Sequence, residues 1–163
     1  MEKLAPVQAS PPLAEQMPVR LLIPIDATDA SRWAINYAIR CAQAGAPVEV
    51  FLLYIIEPVT NWEVLRFHSA QEVHQHFATR AAIFLAEAAE ALAEAGIPCH
   101  RYCREDETVR GILTFAEEKG CSQIVVPDTL LWGRFPCGLA RKLRRQKPSV
   151  PVVRTTANGS LAS

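Results

Sequence analysis

The residues with chemistry to offer fall into four groups, and none of them assembles a familiar catalytic centre. His68, His74 and His76 gather where a long helical pattern begins. Histidines two residues apart point to different sides of a helix, whereas a helical metal pair needs a spacing of four. His68 with Glu72, or Glu72 with His76, meets that spacing but lacks a third ligand, so a solvated helix face is expected and no metal. Cys41, Cys99, Cys103, Cys121 and Cys137 make an odd set without a CxxC pair, which argues for reduced thiols and not for a disulfide framework. Cys99 and Cys103 share one strand face at too long a gap for a metal knuckle, and read as buried small hydrophobes. Gly-x-Ser-x-Gly, a Walker loop and paired catalytic carboxylates are all missing. No catalytic residue is expected, and hence no enzyme.

The fourth group is basic. Asp128 is the last of 17 acidic residues, while Arg134, Arg141, Lys142, Arg144, Arg145, Lys147 and Arg154 follow it. Arg141, Arg144 and Arg145 lie at helical spacing opposite Leu139 and Leu143, with Trp132, Arg134 and Phe135 just upstream. The stripe is either a docking face for an acidic protein or a solvated outer face that balances the acidic remainder. It is too short for a groove reader, so nucleic acid is not expected as a partner.

The elements that must position these residues alternate. At 163 residues, half of them hydrophobic, the chain can bury one core. Apolar runs at 19–26, 48–56, 97–103, 123–127 and 150–155 read as strands. Helical patterns fill the gaps. The first is capped by Thr28 or Asp29. The longest runs from about Ser69 to Ala95, with Phe77, Ala81, Phe84, Ala88, Ala91 and Ala95 on its apolar face. The third is capped by Asp106 or Thr108, and the last is the basic helix near Leu139. Strict alternation predicts a doubly wound α/β domain over 19–155, a five-stranded parallel sheet with helices on both faces. Residues 1–18 read as a flexible leader and 156–163 as a flexible tail. No run of about 18 apolar residues exists, so no membrane span is expected and a cytoplasmic setting is. Ligands of such sheets sit beyond the carboxyl ends of the strands, which directs attention to Asp26, Ile55 to Pro58, and Val126 to Gly138.

Four stretches together resemble the universal stress protein family: LLIPIDATDASRWAINYAI, FLLYIIEPV, TVRGILTFAEEKGCSQIVV and LARKLRRQKPSVPVV. The resemblance implies a strand order of 3-2-1-4-5, a role in stress or growth arrest, and ATP binding in many members. There a Gly-x-x-Gly, nine residues, Gly-Ser/Thr motif after the fourth strand cradles phosphates through main-chain N–H groups. Here Pro127 and Leu130 stand at the glycines, Cys137 and Gly138 at the Gly-Ser pair, and the loop is three residues short. Gly133 is out of register. The cradle is therefore expected to be absent, and no cofactor is expected, with a diverged adenine-nucleotide-binding stress protein of weak ATPase or sensing role as the alternative. What is left of the pocket is Asp26, Ile55, Val126 and Gly138. Asp26 faces the nucleotide in ATP-binding members, but an aspartate at such a turn also bonds nearby N–H groups. Ile55 covers the adenine there, but is equally ordinary core. The last strand, 150–155, would lie at a sheet edge, and related proteins pair it with its two-fold mate. A homodimer through that strand is expected.

Overall fold

The structure is a computed structural model that describes residues 17–129 and 138–162. Five parallel strands form one sheet in the order β3-β2-β1-β4-β5, as expected. They are β1 (Val19–Pro24), β2 (Val48–Ile56), β3 (Cys99–Glu105), β4 (Gln123–Pro127) and β5 (Val152–Thr155). The helices are α1 (Ser31–Gln43), α2 (Trp62–Leu65), α3 (Ala70–Glu94), α4 (Thr108–Glu118) and α5 (Leu139–Arg145).

The central strand shows why the apolar runs are continuous. Leu21 and Ile23 face Ala34, Ile35 and Ala38 of α1 and Leu85, Ala88 and Leu92 of α3. Leu22 faces the other way, toward Ile112, Phe115 and Ala116 of α4 and Ala140 and Leu143 of α5. Both faces of β1 are therefore covered, so no alternation with polar residues survives. Register runs from Val19 opposite Val48 to Pro24 opposite Leu53. Gly45, Gly96 and Gly120, all at positive φ, follow α1, α3 and α4.

The structure departs from expectation at several boundaries. The N-cap of α1 is Ala30, without a side-chain bond, rather than Thr28 or Asp29. The N-cap of α4 is Glu107, whose carboxylate accepts from the N–H groups of Val109 and Arg110. Ser69 and Glu72 form a reciprocal capping box on α3. The buried line of α3 is Ala81, Leu85, Ala88 and Leu92, so Phe77, Phe84 and Ala91 lie at its margin and Ala95 is exposed. β3 begins two residues late because Ile97 sinks into the core and Pro98 has no N–H to donate, and it runs on to Glu105 opposite Ile56. Cys103 is exposed, not buried, because β3 is an edge strand. β5 is confined to Val152–Thr155.

The largest departure follows β5. Residues 156–162, expected as a flexible tail, turn back and bridge Thr155 to Leu161 in antiparallel fashion. The Ala162 N–H reaches the Arg154 carbonyl at 2.8 Å, and Thr156 reaches Ser160 at 2.8 Å. Asn36 donates to the Ala157 carbonyl, and Arg40 to the Asn158 carbonyl and the Ser160 hydroxyl. Residues 1–16 of the expected leader lie outside the described residues.

Candidate functional site

A crevice of about 480 Å³ opens beyond the carboxyl ends of β1, β2 and β4. Its walls are largely apolar, from Pro24, Leu53, Ile55, Ile112, Pro127 and Leu139, with Asp26, Thr28, Ser31, Thr108, Thr129 and Gly138 at the polar rim. It sits between β1 and β4, where strand order reverses, because the chain leaves β1 on one side of the sheet and returns through β4 on the other.

Three of the four expected site residues meet there: Asp26, Ile55 and Gly138. Val126 does not. It is fully buried in the core beside Leu22 and Ile124, since it points into the α4–α5 layer while Pro127 points to the crevice. Leu130, Gly133 and Cys137 lie outside the described residues, as do Trp132, Arg134 and Phe135.

Asp26 is heavily engaged. One of its carboxylate oxygens, Oδ1, accepts from the Thr28 N–H at 2.8 Å, from the Thr28 hydroxyl, and from the Ser31 hydroxyl at 3.0 Å. Ser31 in turn accepts from the Asp26 N–H at 3.2 Å. The aspartate thereby ties the β1–α1 turn. Ile55 is placed by Gly111, where a Cβ would come within 2.9 Å of Ile55 Cδ1 and 3.0 Å of Asp106 Cβ. That glycine is needed for close approach, yet the sequence offers only an unremarkable glycine inside a helix. The sequence reading takes Thr28 and Thr108 only as helix caps and does not name Ser31, while Thr129 falls within the Val126 to Gly138 stretch; a hydroxyl-rich rim beside strand ends was the available signal.

Several main-chain donors near the crevice, those at the start of α4 and after β4, are already committed. Glu107 takes the Val109 and Arg110 N–H groups at 3.1 and 2.8 Å. The Glu57 carboxylate accepts from the Thr108 N–H and hydroxyl. The Asp128 N–H bonds the Thr155 carbonyl at 2.8 Å, and Pro127 has no N–H at all. Acidic groups dominate around these donors. Asp106 is held below the usual carboxylate range by its bond to the Arg110 guanidinium, and then by the Glu107 N–H. Glu107 is lowered by the two N–H groups it caps. Asp128 lies 3.6 Å from the Arg154 guanidinium.

The other expectations place as follows. His74 Nδ1 lies 2.6 Å from Glu105 Oε2. Among the described residues no three His, Cys, Asp or Glu side chains are placed to hold a metal ion. Burial pushes the Cys121 thiol up to about 11 and raises Cys99 and Cys103 as well. Those thiols are poor nucleophiles at neutral pH. The basic stripe is not uniform. Arg144 folds back and donates to the Val152 carbonyl at 2.9 Å, so it serves the sheet edge and not only the outer face.

Sequence comparison decides the family. A model of the universal stress protein family matches residues 17–129, more than half of the chain. The chain belongs to the universal stress protein family. Solved structures agree on the fold. UspA from Lactobacillus plantarum aligns with a TM-score of 0.69 at 16% identity, over 86% of this chain and 99% of that one. A family protein from Arabidopsis thaliana with AMP bound gives 0.60 at 11% identity, covering 86% and 93%. A universal stress protein in complex with cAMP gives 0.62 at 15%, covering 85% and 96%. At such identities the likeness is one of fold. No curated protein matches the chain. Among the described residues of this family member no helix is long and apolar enough to cross a membrane.

Proposed function

We propose that this universal stress protein is a non-catalytic, cytoplasmic binding domain of the stress response whose crevice does not hold ATP by its phosphates. One observation carries the reading. The Thr28, Thr108, Val109, Arg110 and Asp128 N–H groups are bonded within the chain, and Pro127 stands where the family's first phosphate glycine would be. A triphosphate arriving there would displace existing bonds and meet the Asp26 carboxylate that lines the crevice. Exchanging one hydrogen bond for another gains little, and bringing an anion toward carboxylates costs.

The apolar walls around Leu53, Ile55, Ile112 and Leu139 suit a small flat ligand of low charge. Relatives in solved structures hold AMP and cAMP, which makes adenosine and the monophosphates the compounds to compare. In a thermal scan, millimolar Mg-ATP is expected to leave the melting temperature unchanged. A ligand at a hundred times its Kd would stabilise by about 2.7 kcal/mol and be plain to see. A clear shift with Mg-ATP, or ATP carried through purification, overturns the reading and promotes a diverged nucleotide binder.

A further inference from the structure

The helix α5 carries Arg141, Lys142, Arg144 and Arg145 and no acidic residue, and it buries only Ala140 and Leu143. Its cations go to different places. Arg144 folds back on the Val152 carbonyl, and Arg141 lies near it beside Thr129 and Arg154. Lys142 and Arg145 border α4. With Val109, Arg110, Leu113 and Gln146 they line a groove of about 580 Å³ that shares no residue with the crevice.

The charge on the α5 side of this groove is not balanced from within the chain. Among the described residues neither Lys142 nor Arg145 makes a side-chain hydrogen bond or ion pair, whereas Arg20, Arg104, Arg110 and Arg144 each have a partner. The carboxylates of α4 and its approach are committed elsewhere. Asp106 holds Arg110, and Glu107 at the rim of the groove accepts from the Val109 and Arg110 N–H groups. Glu117 accepts from the Ser149 hydroxyl at 2.9 Å, and Glu118 pairs with Arg104 at 2.6 Å. Where α4 borders α5 it presents Leu113 and Thr114, so an intramolecular counter-charge is missing at the place that would need one. Val109 and Leu113 are half-buried and give the groove an apolar floor. Two cations one helical turn apart beside such a floor complement an amphipathic segment whose apolar anchor is flanked by carboxylates.

We propose that the α4–α5 groove docks an acidic amphipathic segment of another protein. One apolar side chain of the partner rests on Val109 and Leu113. Carboxylates on either side of it pair with Lys142 and Arg145, which stand about 4.5 Å apart along the axis of α5. A nucleic-acid strand would leave the apolar floor without a partner, in a chain whose 17 basic residues are matched by 17 acidic ones. Exposed charge pairs are individually weak and screened by salt, so the affinity rests on the apolar anchor and the charges select the partner.

The probe is a labelled helical peptide of about 20 residues, built on alanine with a leucine between two glutamates one helical turn apart. It is titrated with the full chain and followed by fluorescence anisotropy. Saturable binding is expected, weakened about tenfold or more by Lys142→Glu, by Arg145→Glu, and by glycine in place of the peptide's leucine. Arg141→Glu makes the same charge change on the same helix but outside the groove, and should leave the affinity within about twofold. All three side chains are exposed, and circular dichroism checks that each variant folds. Absence of saturable binding overturns the proposal. So does an equal loss with Arg141→Glu, which would mark a bulk charge effect, or a short DNA duplex that binds as tightly and is lost in the same variants.

Discussion

Gly159 offers a sharp perturbation of the segment that covers β5. It is buried at φ +77°, and a Cβ there would lie 2.5 Å from the Asn36 carbonyl carbon and 2.6 Å from the Tyr37 nitrogen. Those atoms belong to the backbone of α1, which cannot give way as a side-chain tip would. Gly159→Ala would also hold an L-residue in the left-handed region, at about 1–2 kcal/mol. Relief comes by lifting the tail off α1. That loses the bonds from Asn36, Arg40 and Ala162, each worth about 0.5–1.5 kcal/mol net. The cost should therefore saturate at about 3 kcal/mol, roughly 6–12 °C in melting temperature for a domain of this size.

Saturation is the part that can be refuted. Because lifting is the escape route, Gly159→Val should cost no more than Gly159→Ala, although its side chain is larger. Hydrogen exchange supplies the local readout, with the Ala162 amide losing protection in both variants while the Leu22 amide keeps its own. An unchanged melting temperature with Ala162 still protected would show that the tail is not seated on α1. A Val variant far worse than Ala would show that the tail cannot come away on its own.

Two further outcomes test the core and the helix caps. Phe115 is 2% exposed, with its ring 4.9 Å from Tyr102 and 6.5 Å from Phe51, so Phe115→Ala should cost about 3–5 kcal/mol in denaturant titration. Glu107 is lowered in the folded state by the N–H groups it accepts from, so its contribution is present above the usual glutamate range near pH 4.3 and lost as acid titrates the folded carboxyl. Exchange at the Val109 and Arg110 amides, corrected for intrinsic rate, should accelerate over that fall in pH, and Glu107→Gln should flatten the dependence.

What the sequence made legible was whatever burial writes into residue type. Leu21, Leu22 and Ile23 mark a strand covered on both faces, and Ala81 and Ala88 mark the buried side of α3, although the expected face sits about half a residue off the observed line through Leu85 and Leu92. The crevice was locatable because strand ends and helix starts alternate, and Asp26, Ile55 and Gly138 do meet there. The misses share a cause. Val126 and Pro127 are adjacent, and which of them faces the crevice depends on strand parity that composition does not carry. Glu107 displaced Asp106 and Thr108 as the cap because any of the three could reach the first-turn N–H groups. The tail looked featureless since its bonds come from Asn36 and Arg40, more than a hundred residues away.

The boundaries of this sheet can be ranked by what an incoming group would have to displace. At the carboxyl ends the first N–H groups of α4 are held by Glu57 and Glu107 and the Thr28 N–H by Asp26, and at β5 the carbonyls are held by Arg144 and Ala162. A ligand phosphate in the first place, or a partner strand in the second, trades one hydrogen bond for another and gains close to nothing from the exchange. The apolar floor of the crevice, around Leu53, Ile55, Ile112 and Leu139, offers surface and no hydrogen bond to exchange. Burying apolar surface on that floor is favourable in proportion to area. By this ordering a ligand of low charge gains more in the crevice than a polyphosphate does.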